Sequence, residues 1–114
     1  MAIETAGDAF LLFRRELELN QEKFQKGNVR LCWEVNAEGL RHWVTELSKT
    51  SKVEESFDAG ADCFIYLSQS ELVRIINGER NIQDAFLDGT VRLSGSSKAA
   101  LWLTVLIEHV TNIQ

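Results

Sequence analysis

The chain has 114 residues, 45% of them hydrophobic and 25% charged, with a formal net charge of −5 and a pI near 5.0. A chain of this length makes one domain, 1–114, with one modest core, burying roughly 60 to 70% of the unfolded surface, and its composition excludes disorder. The acidic balance repels phosphate backbones and anionic membrane surfaces, and the basic residues form no run interleaved with aromatics, so no nucleic-acid partner is expected.

The opening "MAIETAGDAFLLFRREL" has no positive region ahead of its apolar residues and does not read as a secretory signal. The longest apolar run, residues 99–107, falls short of the ~18 residues a membrane span needs. A cytoplasmic protein with at most transient membrane contact is expected. Cys32 and Cys63 are far apart and outside any C-x-x-C spacing, which suits buried free thiols better than a disulfide or a zinc site.

Phe10, Phe13, Leu17 and Phe24 recur at helical spacing, and Thr5 with Asp8 resembles a capping start, so a helix is predicted from Thr5 to about Lys26, ended by Gly27. "VRLCWEV" alternates as a half-buried strand, and the turn "NAEG" leads into a second strand, "LRHWVTEL", giving an antiparallel hairpin. A four-residue loop would set Trp33 opposite His42; one extra loop residue would set it opposite Trp43, and Gly39 in a bulge position favours the second register. Leu31, Trp33, Val35, Trp43, Thr45 and Leu47 then share the helix-covered face. A third strand is expected in "KVEESF", and the almost wholly apolar "CFIYLS" reads as a central strand.

Ser68 and Glu71 form an S-x-x-E box opening a helix through Ile76 that stops at Gly78. Asn81 caps a short helix, "IQDAFL", stopped by Gly89. "TVRLSG" is a strand, and Ser96 or Ser97 caps a final helix over about 98–111. By alternation Ile65, Leu67, Val91 and Leu93 join the inner face. The predicted fold class is α+β, with helices packed on one face of a five-stranded mixed sheet. On the outer face Phe64, Tyr66 and Val44 stand beside Cys32, an apolar contact surface for a weak homodimer.

The stretch "ADCFIYLSQSELVRIINGERNIQDAFLDGTVRLSGSSKAALWLTVL" resembles the sterol carrier protein type 2 family. The family pattern is a strand, a capped helix, a G-x-x-N-x-x-x-A-F turn and helix, then a strand between glycines before a last helix. Gly78, Asn81, Ala85, Phe86, Gly89 and Gly95 stand where that pattern wants them, and with the upstream hairpin the resemblance covers about residues 28–106. Ile82 replaces a frequent proline, and Thr90 and Arg92 stand where the family favours lysines, departures that touch its membrane-contact surface more than its fold.

The resemblance implies a hydrophobic tunnel between sheet and helices for a fatty acid, sterol or other lipid, with no cofactor. The residues expected to wall it are Phe13, Leu17, Trp33, Leu47, Leu67, Leu72, Ile75, Phe86, Val91, Leu103 and Leu106. Segment 77–95 would then act as a lid, with Phe86 closing the cavity. Every one of these residues would serve equally in an ordinary packed core, and a non-catalytic structural or dimerisation module with a closed core is the alternative. The final helix is apolar nearly all round over 99–107, more than one solvated face requires.

Chemistry candidates are thin. His42 and Glu46 share a strand face, and His109 lies late in the last helix, without metal-ligand spacing. Glu54, Glu55, Asp58 and Asp62 read as solvated loop charges rather than an acid–base pair, and the dispersed glycines form no phosphate loop. No enzyme activity is expected.

Overall fold

The computed structural model describes residues 2–114. Thr5 and Asp8 cap each other reciprocally at the start of α1 (Ala6–Leu19), satisfying backbone donors the helix leaves free. The single helix expected to reach Lys26 breaks at Asn20, whose backbone (φ −122, ψ 36) leaves the helical region; its side-chain amide donates to the Glu16 carbonyl at 2.9 Å. Local side-chain bonding of this kind competes with helix propagation, and a separate short turn, α2 (Gln21–Phe24), follows.

β1 (Val29–Asn36) and β2 (Leu40–Leu47) form the antiparallel hairpin with Trp33 opposite Trp43, the register Gly39 favoured. The loop is shorter than that register was thought to need: Asn36 pairs with Leu40, leaving Ala37, Glu38 (φ 57) and Gly39 (φ 125) to turn the chain. β3 (Lys52–Glu54) pairs with β2 but is only half the strand expected from "KVEESF". After Glu54 the chain leaves the edge and crosses the outer face to reach β4 (Cys63–Ser68), which runs parallel to β1. Arg30 pins that crossing, with its guanidinium 2.8 Å from Asp58 and donating to the Gly60 carbonyl at 3.1 Å.

Ser68 caps α3 (Gln69–Ile76), its hydroxyl accepting from the Glu71 amide at 3.1 Å. Asn81 accepts from Gln83 and Asp84 amides to start α4 (Ile82–Leu87). β5 (Arg92–Gly95) pairs antiparallel with β4, and Ser96 caps α5 (Ser97–Asn112). The sheet order is β3-β2-β1-β4-β5, a five-stranded mixed sheet in an α+β domain.

The pleat sorts the strands as alternation requires: Leu31, Trp33, Val35, Thr45, Leu47 and Ile65 are buried beneath the helices. The outer face is less bare than expected. Cys32 and Val44 are buried there, and Phe57 of the crossing loop lies edge-on to His42 (5.1 Å between ring centroids) and near Phe64 (6.3 Å). Cys32 and Cys63 are both free, and lie on opposite faces of neighbouring strands. Burial pushes both thiols up from their ordinary value.

Candidate functional site

The layer between sheet and helices is built from alternating strand residues below and helical stripes above. From α1, Phe13 and Leu17 are fully buried; from α3, Leu72 and Ile75; from α5, Leu103 and Leu106. The sheet contributes Trp33, Leu47 and Leu67, and Val91 enters just before β5. These residues belong to one contiguous apolar cluster, with Phe86 packed half-buried at its margin. The structure therefore brings all eleven expected residues to one layer. Three of them also line surface grooves: Leu67 one of about 430 Å³ at the end of the sheet, Ile75 one of about 210 Å³ between α3, α4 and α5, and Leu17 one of about 320 Å³ beside β3.

Phe10 and Trp43 complete the layer although the expected wall left them out. Their rings stack at 4.6 Å with 6° between planes, and Phe10 meets Trp33 edge-on at 5.4 Å. Both were within reach of sequence reasoning: Phe10 precedes Phe13 by three residues on one helical stripe, and Trp43 faces Trp33 in the favoured register. From α4 the buried side chains are Ile82, one turn before Phe86, and its immediate neighbour Ala85.

Polar groups inside this layer are few and mutually satisfied. The Trp33 indole N–H donates to the Thr45 hydroxyl at 3.0 Å. Glu16 is buried at the far edge, where the His109 ring N–H donates to its carboxylate at 2.9 Å and Arg15 approaches at 3.1 Å. Burial pulls the Glu16 pKa up, but the hydrogen bonds from His109 and Arg15 outweigh it and leave the carboxyl below its usual value. Among the described residues no buried side-chain nitrogen or oxygen lacks a partner. An interior with no unmet hydrogen bond offers an occupant only apolar contact, which suits a ligand that is itself mostly hydrocarbon.

The expected chemistry candidates are held apart. His42 pairs with Glu34 at 3.1 Å on the outer face, while His109 lies under α1. Glu46 is engaged by the Ser48 and Thr50 hydroxyls, Glu55 by Arg41, and Asp58 by Arg30. Among the described residues no helix is long and apolar enough to cross a membrane.

The model described as the SCP-2 sterol transfer family matches residues 11–108, so the likeness takes in most of α1, upstream of the stretch whose motifs carried the resemblance. Sterol carrier protein 2 of Rattus norvegicus is 31% identical over 114 residues, covering 90% of this chain and 21% of that protein. The chain thus spans about a fifth of that relative's length. The solution structure of palmitated SCP2L2 from Aedes aegypti superposes with a TM-score of 0.80 at 19% identity, covering 93% of this chain and 96% of that one. The sterol carrier protein domain 2 of Helicoverpa armigera superposes with a TM-score of 0.77 at 20% identity, covering 91% and 86%. At these identities the structural likeness is one of fold.

Proposed function

The chain belongs to the SCP-2 sterol transfer family, and from that premise we propose that it binds and transfers lipid, holding a fatty acyl chain, a sterol or a similar apolar ligand between sheet and helices. The observation that carries this reading is the single apolar layer to which α1, α3, α5 and the sheet all contribute, with its polar groups satisfied among themselves. The buried Cys63 thiol and the Glu16–His109 pair belong to this layer, and binding calls on neither of them. Burying about ten methylenes yields ~8 kcal/mol before association and ordering costs of several kcal/mol, so affinity in the micromolar range follows only if nearly the whole chain is buried.

A fluorescent fatty acid should bind at micromolar concentration and quench emission from the buried Trp33 and Trp43. Ile75→Trp, which adds bulk where Ile75 lines the groove between α3, α4 and α5, should weaken binding at least tenfold while leaving the circular dichroism spectrum unchanged. Native mass spectrometry should show a lipid carried from the expression host. Absence of binding at every pH, with no co-purified lipid, replaces the carrier with a non-catalytic structural module whose core is closed. A second copy docking on the outer face, where Phe57 stands 59% exposed above half-buried Phe64 and Tyr66, is a further expectation. Light scattering should read weak dimerisation that Phe64→Ser abolishes, and a strict monomer at high concentration removes it.

A further inference from the structure

α4 is attached unlike the other helices. It spans six residues, sends only Ile82 and Ala85 fully into the core, keeps Phe86 half-buried, and leaves Leu87 87% exposed. Glycines with positive φ bracket it, Gly78 at 78° and Gly89 at 80°, positions able to absorb a change in backbone direction. Its polar attachment converges on one side chain. Arg80 Nε donates to Glu71 of α3 at 3.0 Å, while Nη2 pairs with Asp88 and lies 3.4 Å from the Thr90 hydroxyl, both beyond the other end of α4. One guanidinium therefore ties the two ends of α4 to each other and to a buried carboxylate of α3.

Beside this tie lies the groove of about 210 Å³. Its floor is Ile75, Ile82 and Ile107, each of them part of the apolar cluster, and its rim includes Arg80, Asn81 and Glu108. We propose that this groove between α4 and α5 is the mouth through which an acyl chain reaches the core, and that Arg80 is the latch holding α4 across it. The proposal rests on the lipid-carrying reading. Parting α4 from α5 uncovers Ile75, Ile82, Ala85, Ile107 and the inner edge of Phe86, whereas an opening between α1 and the sheet would break the ring contacts of Phe10 and Phe13 with Trp33 and Trp43 and uncover Leu17 with them. An apolar floor inside a polar rim also suits an amphipathic entrant, with chain inward and head group at the surface.

The latch is tested on the full chain with Arg80→Met, which keeps the length of the side chain and removes its charge and donors. Hydrogen exchange of amides 82–89 should accelerate by about tenfold or more, since the charge-assisted bonds to Glu71 and Asp88 are both lost, while α3 and α5 keep their protection. In stopped-flow mixing with NBD-stearate, entry and release should both quicken by a similar factor, with Kd changed by less than threefold. Asp88→Asn, which weakens one limb of the tie, should shift the same rates in the same direction and supplies the result if Arg80→Met does not fold. Wild-type entry and release rates in both variants, or faster exchange spread over all helices, overturn the latch and leave lipid carriage standing. Failure of NBD-stearate to bind the unaltered chain overturns the carrier reading and the portal with it.

Discussion

Thr45 is the kind of residue that hydropathy misplaces: a fully buried hydroxyl among apolar neighbours, kept there because the Trp33 indole needs an acceptor. Thr45→Val preserves shape and removes that acceptor, so it should cost about 1–3 kcal/mol in urea denaturation. Trp33→Phe combined with it should cost less than the two changes summed, because the orphaned donor is then gone. A second such residue is Glu71. Its spacing from Ser68 suggested that its carboxylate would close a capping box, yet the carboxylate turns instead to Arg80 at 3.0 Å and Arg74 at 3.7 Å. Only the Ser68 half of the box forms, its hydroxyl accepting from the Glu71 amide, and the Glu71 carboxylate joins α3 to the segment beyond it.

Strand ends and helix ends show how single positions govern elements. Gly95 sits at φ 123 where β5 meets β4, and a Cβ there would clash with the Asp62 carbonyl oxygen. Gly89 also has positive φ, at 80°, but a Cβ there would meet nothing within 4 Å. Gly95→Ala should therefore destabilise by about 2–4 kcal/mol through strain and a backbone clash together, and Gly89→Ala by only about 1 kcal/mol through conformation alone. Equal losses in the two variants, measured by thermal denaturation, would show that the close approach at Asp62 does not govern the end of β5. The hairpin followed from its pattern because a one-residue slip would have turned Trp33 and its alternating partners to the wrong face. The break at Asn20 was not visible in the periodicity, since Phe24 keeps helical spacing with Leu17 across the interruption.

Acid should act on several depressed carboxyls, two of which, Glu16 and Asp88, tie separate segments of the fold together. Asp88, beside Thr90 donors and Arg80, is held down to about 2, and Glu16 lies below its usual value of 4.5. Both carboxyls are depressed in the folded state, so their contributions are complete above the ordinary carboxylate range and fade as pH falls through the folded values. The stability that these two carboxyls contribute should decline below about 4.5, as Glu16 protonates and α1 loses its bond to His109 of α5 and, toward pH 2, as Asp88 lets go of Arg80. Glu16→Gln should flatten part of that decline. An unchanged profile would mean that the α1–α5 bridge carries no pH dependence.

The sequence by itself determined which residues face inward. Periods of 2 and 3.6 are properties of local backbone geometry, so alternation placed Leu31, Trp33, Val35 and Ile65 beneath the helices, and helical spacing placed Phe13, Leu17, Leu103 and Leu106 above them. Caps at Thr5, Ser68 and Asn81 were legible for the same reason, each being a bond within a few residues, while the choice between Ser96 and Ser97 was settled only by the fold, which caps α5 with Ser96. Only the tertiary structure decided the path of residues 55–62 across the outer face, the pairing of Glu16 with His109, and the convergence of Glu71 and Asp88 on Arg80. Those contacts join groups from different elements, and their partners are chosen by how packed layers bring side chains within about 3 Å of one another, a distance that no repeat along the chain encodes.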